Sequence, residues 1–517
     1  MNTVNFLRIP AALFPDQEIL VFEGIRLRYA QVLERVCRLA SALRALGLKP
    51  NDRLAALHTN SPQFIEAYYA SALLGATFVP LNYRAKVPEL AYMLTAADVK
   101  VLLVGNRYIE LLKQLQPQLS SVQHCVAMET SQPGMLSFED LVAQGSPQIE
   151  DAEVDESDVS VLMYTSGTTS VPKGVMLTYG DFTEYVVGTV EMADGSPRGT
   201  FLLCAPLYHI AGMASIMSSL WAGRKLIVLR QFEPTAWLAG VQNEQVTHAF
   251  IVPTMLKQLI EQPDFSTFDL SSLVNLAYGG APMPLPVIRR AIKMFPRTTG
   301  FVNAYGQTET TSTLTVLGPE DHRLDGPAEE VARNLKRLSS VGKPLPDVEV
   351  RVVDGDEKEL PRNHIGEILV RTPREMKGYA GPHSATAALL DTNGWLHTRD
   401  MGSIDEDGYV YLVGRTDDLI IRGGENIAPA EIEAVLHAHP AVDEAVVIGM
   451  PDEQWGQKVV AFVVLRPDKT ASSEELSAFC QHRLASFKKP AVIHLVEELP
   501  RNPLGKILRQ ELREQEA

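Results

Sequence analysis

The stretch "MYTSGTTSVPKGVMLT", residues 163–178, decides how the rest of the chain is read. It gathers six serine and threonine hydroxyls, two glycines and one lysine. Small residues let the backbone approach a ligand, and N–H and O–H donors suit phosphate oxygens. Lys173 adds a compact positive charge. A polyphosphate is therefore the ligand this loop suggests. The pattern is not the GxxxxGK[ST] phosphate loop: Pro172 stands where that loop needs glycine, and Gly174 where it needs Ser or Thr. The plain alternative is a polar turn between two strands, but such turns seldom collect so many hydroxyls beside a lysine.

The chain around this loop has 517 residues, too many for one hydrophobic core. Its 45% hydrophobic share is that of a globular protein. A formal net charge of −16 opposes nucleic acid and anionic lipid over most of the surface, without excluding local basic sites for anionic cofactors. Cys37, Cys125, Cys204 and Cys480 lie far apart with no CxxC pair, so neither a zinc knuckle nor a thioredoxin-like site is expected. A reducing cytoplasm fits that usage. The N-terminal "MNTVNFLRIPAALFPDQ" does not read as a signal peptide. The longest apolar run, "FIEAYYASALLGATFVPL", carries Glu66 and reads as a buried helix and strand, not a membrane span.

Helical and strand patterns alternate through the first part of the chain. "YAQVLERVCRLASALRALGL" has three- and four-residue apolar spacing and stops at Gly47. "DRLAALHT" and "VKVLLVG" read as buried strands with the helix "ELAYMLTAAD" between them, and "KLIVLR", "THAFIVP" and "LVNLAYGG" repeat the rhythm. Alternation of this kind builds helix-covered parallel sheets, with ligands beyond the carboxyl ends of the strands. From about residue 340, "VEVRVVD", "GEILVR" and "GYVYLVGR" are short alternating strands of a β-barrel or antiparallel sheet. A small α+β pattern follows, with helices at 429–438 and 473–484 and strands "DEAVVIGM" and "KVVAFVVL". The expected organisation is an α/β fold: a large N-terminal domain at 1–414, a junction at 415–418 and a small C-terminal domain at 419–517.

Further motifs follow the opening loop in order: "PLYHIAGM" at 206–213, "YGGAPMP" at 278–284, "NAYGQTET" at 303–310, "GWLHTRD" with "GRTDDLIIRGGENI" within 394–427, and "LPRNPLGKILR" at 499–509. Each alone is a weak signal. Together, in this order and over nearly the whole chain, they resemble the acyl-adenylate-forming enzymes: acyl-CoA synthetases, peptide-synthetase adenylation domains and beetle luciferases, with AMP-forming acyl-CoA synthetases nearest. The resemblance implies ATP, magnesium and coenzyme A as cofactors. A carboxylate is a poor electrophile, and its activation as an acyl-adenylate needs a clamp on the departing phosphates, a metal, and positive charge at the α phosphate.

By resemblance, Thr165, Ser166, Gly167, Thr168, Thr169 and Lys173 hold the departing phosphates. Ser170 stands where the family usually has glycine. Glu309 matches the magnesium-associated acid, Thr308 the α-phosphate contact, and Tyr305 with Gly306 the adenine side. Gly280, Ala281 and Pro282 match the strand end that approaches adenine by its backbone. Asp400 and Arg415 match the ribose contacts, an acid being a suitable acceptor for two adjacent hydroxyls. The usual TGD reads "TRD" here, so Arg399 replaces a glycine and is expected to point outward. Lys506 matches the lysine of the adenylation transition state. A mobile C-terminal domain turning about Asp417 then presents a second face to the thiol, with Gly424, Glu425, Trp455, Phe487 and Lys489 implied at CoA. Core aromatics and a surface lysine are the plain alternative for the last three. No carrier domain is expected after the C-terminal domain, so free CoA is the expected acceptor.

His209, Ile210, Ala211, Met213, Phe250, Gly279, Ala304, Thr311 and Ser312 are the implied border of the acyl pocket. Few charges appear among them, so neither an ammonium nor a second carboxylate finds a partner, although His209 is placed to assist. Gly279 and Ala304 are expected to leave room for depth. A medium- or long-chain fatty acid is the first expectation and an aryl or cyclic acid the second. His209 is read as a gate of this pocket or a border of CoA's path, with a satisfied core histidine as the plain alternative. Small-molecule acid, ATP and CoA are the expected partners, a homodimer is left open, and a cytoplasmic location is expected. A non-catalytic nucleotide-binding relative is the competing class; Lys173, Glu309 and Lys506 together argue for the ligase.

Overall fold

The structure is a computed structural model and describes residues 1–165, 172–381, 386–387, 389–423, 425–501 and 507–516. The chain forms two compact units. One comprises residues 1–338, 344–348 and 371–390; the other comprises 339–343, 349–370 and 391–517.

The larger unit holds two helix-flanked sheets. In the first, strands Gly300–Gln307, Asn275–Gly279, His248–Ile251, Thr200–Leu203, Lys225–Val228 and Glu18–Phe22 lie side by side and parallel. Ser312–Leu317 pairs antiparallel with Gly300–Gln307, and Ile25–Arg28 closes the far side antiparallel to Glu18–Phe22. In the second sheet, Val159–Thr165, Thr77–Pro80, Arg53–Leu57, Val99–Val104, His124–Ala127 and Leu136–Ser137 are parallel. Lys173–Thr178 turns back antiparallel on Val159–Thr165, and Gly378–Tyr379 pairs antiparallel with Lys173–Thr178. Continuous runs such as "VKVLLV" are buried because helices cover the sheets.

The local reasons are those expected from sequence. The helix Tyr29–Ala45 stops before Gly47, whose φ of +95° lies in the left-handed region that glycine adopts without strain. The apolar run at 64–81 is the buried helix Pro62–Leu73, opened by a hydrogen bond from the Phe64 N–H to Ser61 Oγ at 3.2 Å, followed by the strand Thr77–Pro80. Glu66, inside that helix, is fully buried and accepts from Arg35 Nε at 2.7 Å and Nη2 at 3.0 Å. Pairing is what permits a carboxylate there.

The second unit contains a four-stranded antiparallel sheet of Glu349–Val353, Gly366–Arg371, Leu396–Ile404 and Val410–Arg415, so of the two expected forms the region takes the antiparallel sheet. The same unit continues with the hairpin Ile420–Arg422 and Glu425–Ile427 and the sheet Val442–Asp452, Gly456–Leu465 and Val492–Leu495. Helices Pro429–His437 and Ser473–Gln481 lie beside that sheet. Ile432, Leu436, Val447, Val459, Ala461 and Leu476 share its core. Among the described residues no helix is long and apolar enough to cross a membrane.

Candidate active site

In the larger unit, Thr165 ends the strand Val159–Thr165 and faces Lys173 at the start of the next strand. The loop they bracket carries Ser166, Gly167, Thr168, Thr169 and Ser170, which lie outside the described residues. The strand Gly300–Gln307 ends in a tight 3₁₀ turn, Thr308–Thr310, before the chain reverses. Gly306 permits that reversal: a Cβ there would sit 1.7 Å from the Ser312 carbonyl oxygen. Thr311 and Ser312 leave the turn at φ +49° and +87°, a costly conformation for side chains other than glycine. Thr310 Oγ caps the turn, accepting from the Gln307 N–H at 3.3 Å.

Glu309 projects from this turn. Its Oε1 accepts from the Tyr379 hydroxyl at 2.8 Å, and its backbone carbonyl accepts from the Met376 N–H at 2.8 Å. Lys173 Nζ lies 5.3 Å from the centre of the same Tyr379 ring. A short strap, residues 374–380, thus runs between the strand that Lys173 begins and the turn that carries Glu309. Its backbone donates from Lys377 to the Met176 carbonyl at 3.0 Å and from Ala380 to the Gly174 carbonyl at 2.8 Å. Arg374 anchors the strap from inside: 0% exposed, it donates from Nε to Asp347 at 2.6 Å and from Nη1 to the Thr310 carbonyl at 3.2 Å, and lies 5.3 Å from the Tyr185 ring centre. Sequence reasoning missed Tyr379 and Arg374. "REMKGYAG" follows an apolar strand, and nothing local marks which of its residues reach another sheet.

The strand end 278–282 corrects one expectation. A Cβ on Gly279 would lie 2.2 Å from the Ala304 carbonyl oxygen and 3.6 Å from Phe250 Cε2. The glycine therefore permits close approach of two backbones; it does not open depth for a chain. Gly280 has φ +78°, Ala281 is half-buried and Pro282 exposed. Tyr305 and Ala304 are half-buried on the neighbouring strand.

His209 precedes the helix Ile210–Ala222. Its Nε2 is buried with no partner among the described residues, although the residue as a whole keeps some exposure. Burial, with a smaller push from Arg84, lowers the imidazole to about 3, so it is neutral at physiological pH and offers no charge to a second carboxylate. Ile210, Ala211 and Phe250 are half-buried, whereas Met213 is fully buried in the core. Thr311 is also fully buried, its hydroxyl without a partner among the described residues.

In the second unit, Asp400 and Arg415 are directly paired across two strands, with Arg415 Nε 3.1 Å from Asp400 Oδ1. Arg399, beside them, is held at φ +60°, the conformation a glycine would take without strain. It is half-buried and so does not simply point outward. Asp417 is exposed within the 3₁₀ turn Thr416–Asp418. Glu425 is exposed on its hairpin. Trp455 is 46% exposed, and its carbonyl accepts from the Gly423 N–H at 2.8 Å. Arg422, which sequence reasoning also missed, lies 5.7 Å from the Trp455 ring centre and donates to the Phe487 carbonyl at 2.7 Å. It joins two of the residues implied at CoA; Lys489 is half-buried just beyond Phe487. Gly424 and Lys506 lie outside the described residues.

A two-sheet α/β unit with a lysine and a carboxylate at its strand ends, in a chain that also carries an Asp–Arg pair on a second unit, agrees with what comparison with known proteins shows, the class of ATP-using acyl-activating ligases. The AMP-binding enzyme description matches residues 7–380 and the AMP-binding enzyme C-terminal domain matches 431–506, and the chain belongs to this adenylate-forming family. It is similar to a feruloyl-CoA synthase of Amycolatopsis sp, 36% identical over 97% of this chain and 96% of that one. It is similar also to a fatty acid–[acyl-carrier-protein] ligase of Streptomyces coeruleorubidus, 34% identical over 97% of this chain and 93% of that one. Among solved structures, an anthranilate CoA ligase in complex with anthranoyl-AMP matches with a TM-score of 0.88 at 26% identity, covering 100% of this chain and 97% of the other.

Proposed function

We propose that this chain is an AMP-forming acid:CoA ligase that activates an aromatic carboxylic acid with ATP and passes the acyl group to coenzyme A. The observation that carries the reading is the approach of Lys173 and Glu309, from two different sheets, to one tyrosine. Lys173 and the hydroxyl-rich loop bind the departing phosphates, and Glu309 serves the magnesium. Glu309 would hold that cation, which would supply positive charge to offset that of the departing phosphates. The donor set suits such an ion. Tyr379 engages only one carboxylate oxygen of Glu309, and no group of three His, Cys, Asp or Glu ligands occurs among the described residues. An ion held by one carboxylate, phosphates and water fits; an all-protein cage does not. Asp400 and Arg415 take the ribose hydroxyls. Lys506 stabilises the adenylation transition state, and the C-terminal residues then turn about Asp417 to bring Trp455, Phe487 and Lys489 to CoA.

The strand end at Gly279 favours the aromatic acid. Closed by the Ala304 backbone and flanked by Phe250, it suits a flat ring better than a long flexible tail. A neutral His209 agrees with a substrate that bears no second charge. The feruloyl and anthranilate relatives support the same class. A fatty acid is the second reading, supported by the fatty acid ligase relative. Acid-dependent pyrophosphate exchange across hydroxycinnamates, benzoates, indole-acetate and C8–C16 fatty acids decides between them. Higher kcat/KM for the ring acids is expected; a rate that climbs with chain length overturns the aromatic reading, and no exchange with any acid overturns the ligase reading.

A further inference from the structure

We propose that Tyr379 is a positioning residue for the first half-reaction: its hydroxyl fixes the Glu309 carboxylate while its ring faces the Lys173 ammonium, so that one side chain sets the spacing of the two. The inference rests on the roles given above to Lys173 and Glu309.

Three features make the tyrosine a device for this purpose. The hydroxyl donates to Glu309 Oε1 at 2.8 Å, a bond to a charged acceptor and therefore stronger than a neutral one. The ring carries its negative face toward Lys173 Nζ at 5.3 Å, an attraction with no covalent or hydrogen-bonded constraint. The backbone is itself held, since the Tyr379 N–H donates to Thr386 Oγ1 at 2.9 Å and residues 378–379 pair with Met176 and Val175. Tyr379 is buried, so these contacts form away from bulk water.

The consequence is chemical. Glu309 on a short 3₁₀ turn has rotamer freedom that a cation must otherwise remove on binding; the Tyr379 bond orients one oxygen beforehand and leaves the other to the ion. Lys173 is attracted to the ring face but keeps its three N–H donors for phosphate. A tyrosine meets both needs at once. Phenylalanine keeps only the ring, and leucine keeps neither.

The test uses the full chain. Tyr379→Phe conserves volume and should unfold at the wild-type temperature. It should raise the magnesium concentration for half-maximal pyrophosphate exchange by about tenfold, the scale of one hydrogen bond to a charged group, with a smaller change in KM for the acid. Calorimetric titration of ATP with and without magnesium is the readout independent of turnover: Tyr379→Phe should weaken only the magnesium-dependent part of ATP affinity. Tyr379→Leu should additionally weaken ATP binding without magnesium, because the Lys173 side is lost. Conversion of supplied acyl-adenylate to thioester should be unchanged in Tyr379→Phe. An unaltered magnesium requirement in Tyr379→Phe overturns the proposal, as does a loss that follows the unfolding temperature alone. Glu309→Gln separates the two levels of the argument. If Glu309→Gln leaves exchange intact, the assigned role of Glu309 fails; if it abolishes exchange while Tyr379→Phe does nothing, only the positioning role fails.

Discussion

The surroundings of Glu309 in the larger unit and the exposed face around Trp455 in the second unit are held in opposite ways. Glu309 is set by Tyr379, Tyr379 by Thr386 and a strand pairing, and the neighbouring Thr310 carbonyl by a fully buried Arg374 on Asp347. Trp455 stands 46% exposed, held mainly through its backbone, with the Arg422 guanidinium 5.7 Å from its ring centre. Groups fixed before the substrate arrives cost no reorganisation when charge develops. An exposed aromatic surface, in the role proposed for Trp455, would instead meet a long, partly solvated ligand by contact area. The difference teaches that the two proposed half-reactions should fail differently under mutation.

The largest effect should come from the charged groups proposed for adenylation. Glu309→Gln and Lys506→Ala should each lower acid-dependent pyrophosphate exchange by about 10²–10³-fold, the scale for removing one transition-state group. Lys506→Ala should still convert supplied acyl-adenylate to thioester. Equal losses in both half-reactions would erase the contrast between the two regions.

Gly279→Ala should be next. Its Cβ would meet the Ala304 carbonyl at 2.2 Å, so one of two paired backbones must move, at a cost of about 1–3 kcal/mol. Denaturant unfolding measures that cost, and a series of acids should show a loss independent of length. A loss confined to long acids would restore a deep pocket.

Acid should then weaken the larger unit. Burial lowers His58 and His322 from the ordinary 6.5 to about 4. His322 Nδ1 donates to the Gly318 carbonyl at 2.8 Å, which leaves Nε2 to accept from Tyr278 Oη at 2.9 Å while the ring is neutral. For a histidine held below its ordinary value, the unfolded chain binds the proton first. The stabilisation is whole above pH 6.5 and is lost as pH falls toward 4, by about 1.4 kcal/mol per pH unit for each histidine. Unfolding free energies between pH 7 and 4 check the slope. A flat profile would mean that these rings are less buried than their contacts indicate.

Trp455→Ala should have the smallest effect on the fold and a selective one on function. Stability should change by less than about 1 kcal/mol, since the ring is half in solvent. KM for CoA should rise about tenfold, the scale of losing one aromatic contact, while pyrophosphate exchange stays at the wild-type rate. A parallel loss of exchange would place Trp455 in the first half-reaction and remove the division of labour between the two faces.

Most elements of the fold were legible because their causes are local. Three- and four-residue apolar spacing made the helix at 29–45, short β-branched runs made the parallel strands, and Gly47 made the stop. Asp400 and Arg415 were named from their motif, and their pairing follows from strand register. Gly279 misled because a small residue in a sequence does not say what occupies the space beside it; here it is the next strand's carbonyl oxygen. Arg399 was seen to replace a glycine, but only the backbone reveals that the arginine keeps the glycine-like φ of +60°.

The sequence by itself determined the family and the order of elements, and it singled out the groups proposed to touch phosphate, metal and ribose, because side-chain chemistry and turn preference are written within a few residues of each other. Only the tertiary structure decided that Tyr379 meets Glu309, 70 residues away, and also faces Lys173, and that Arg374 reaches the Thr310 carbonyl from the core. Those contacts depend on which strands become neighbours. That is settled by the burial of whole sheet faces, and no short stretch of sequence encodes it.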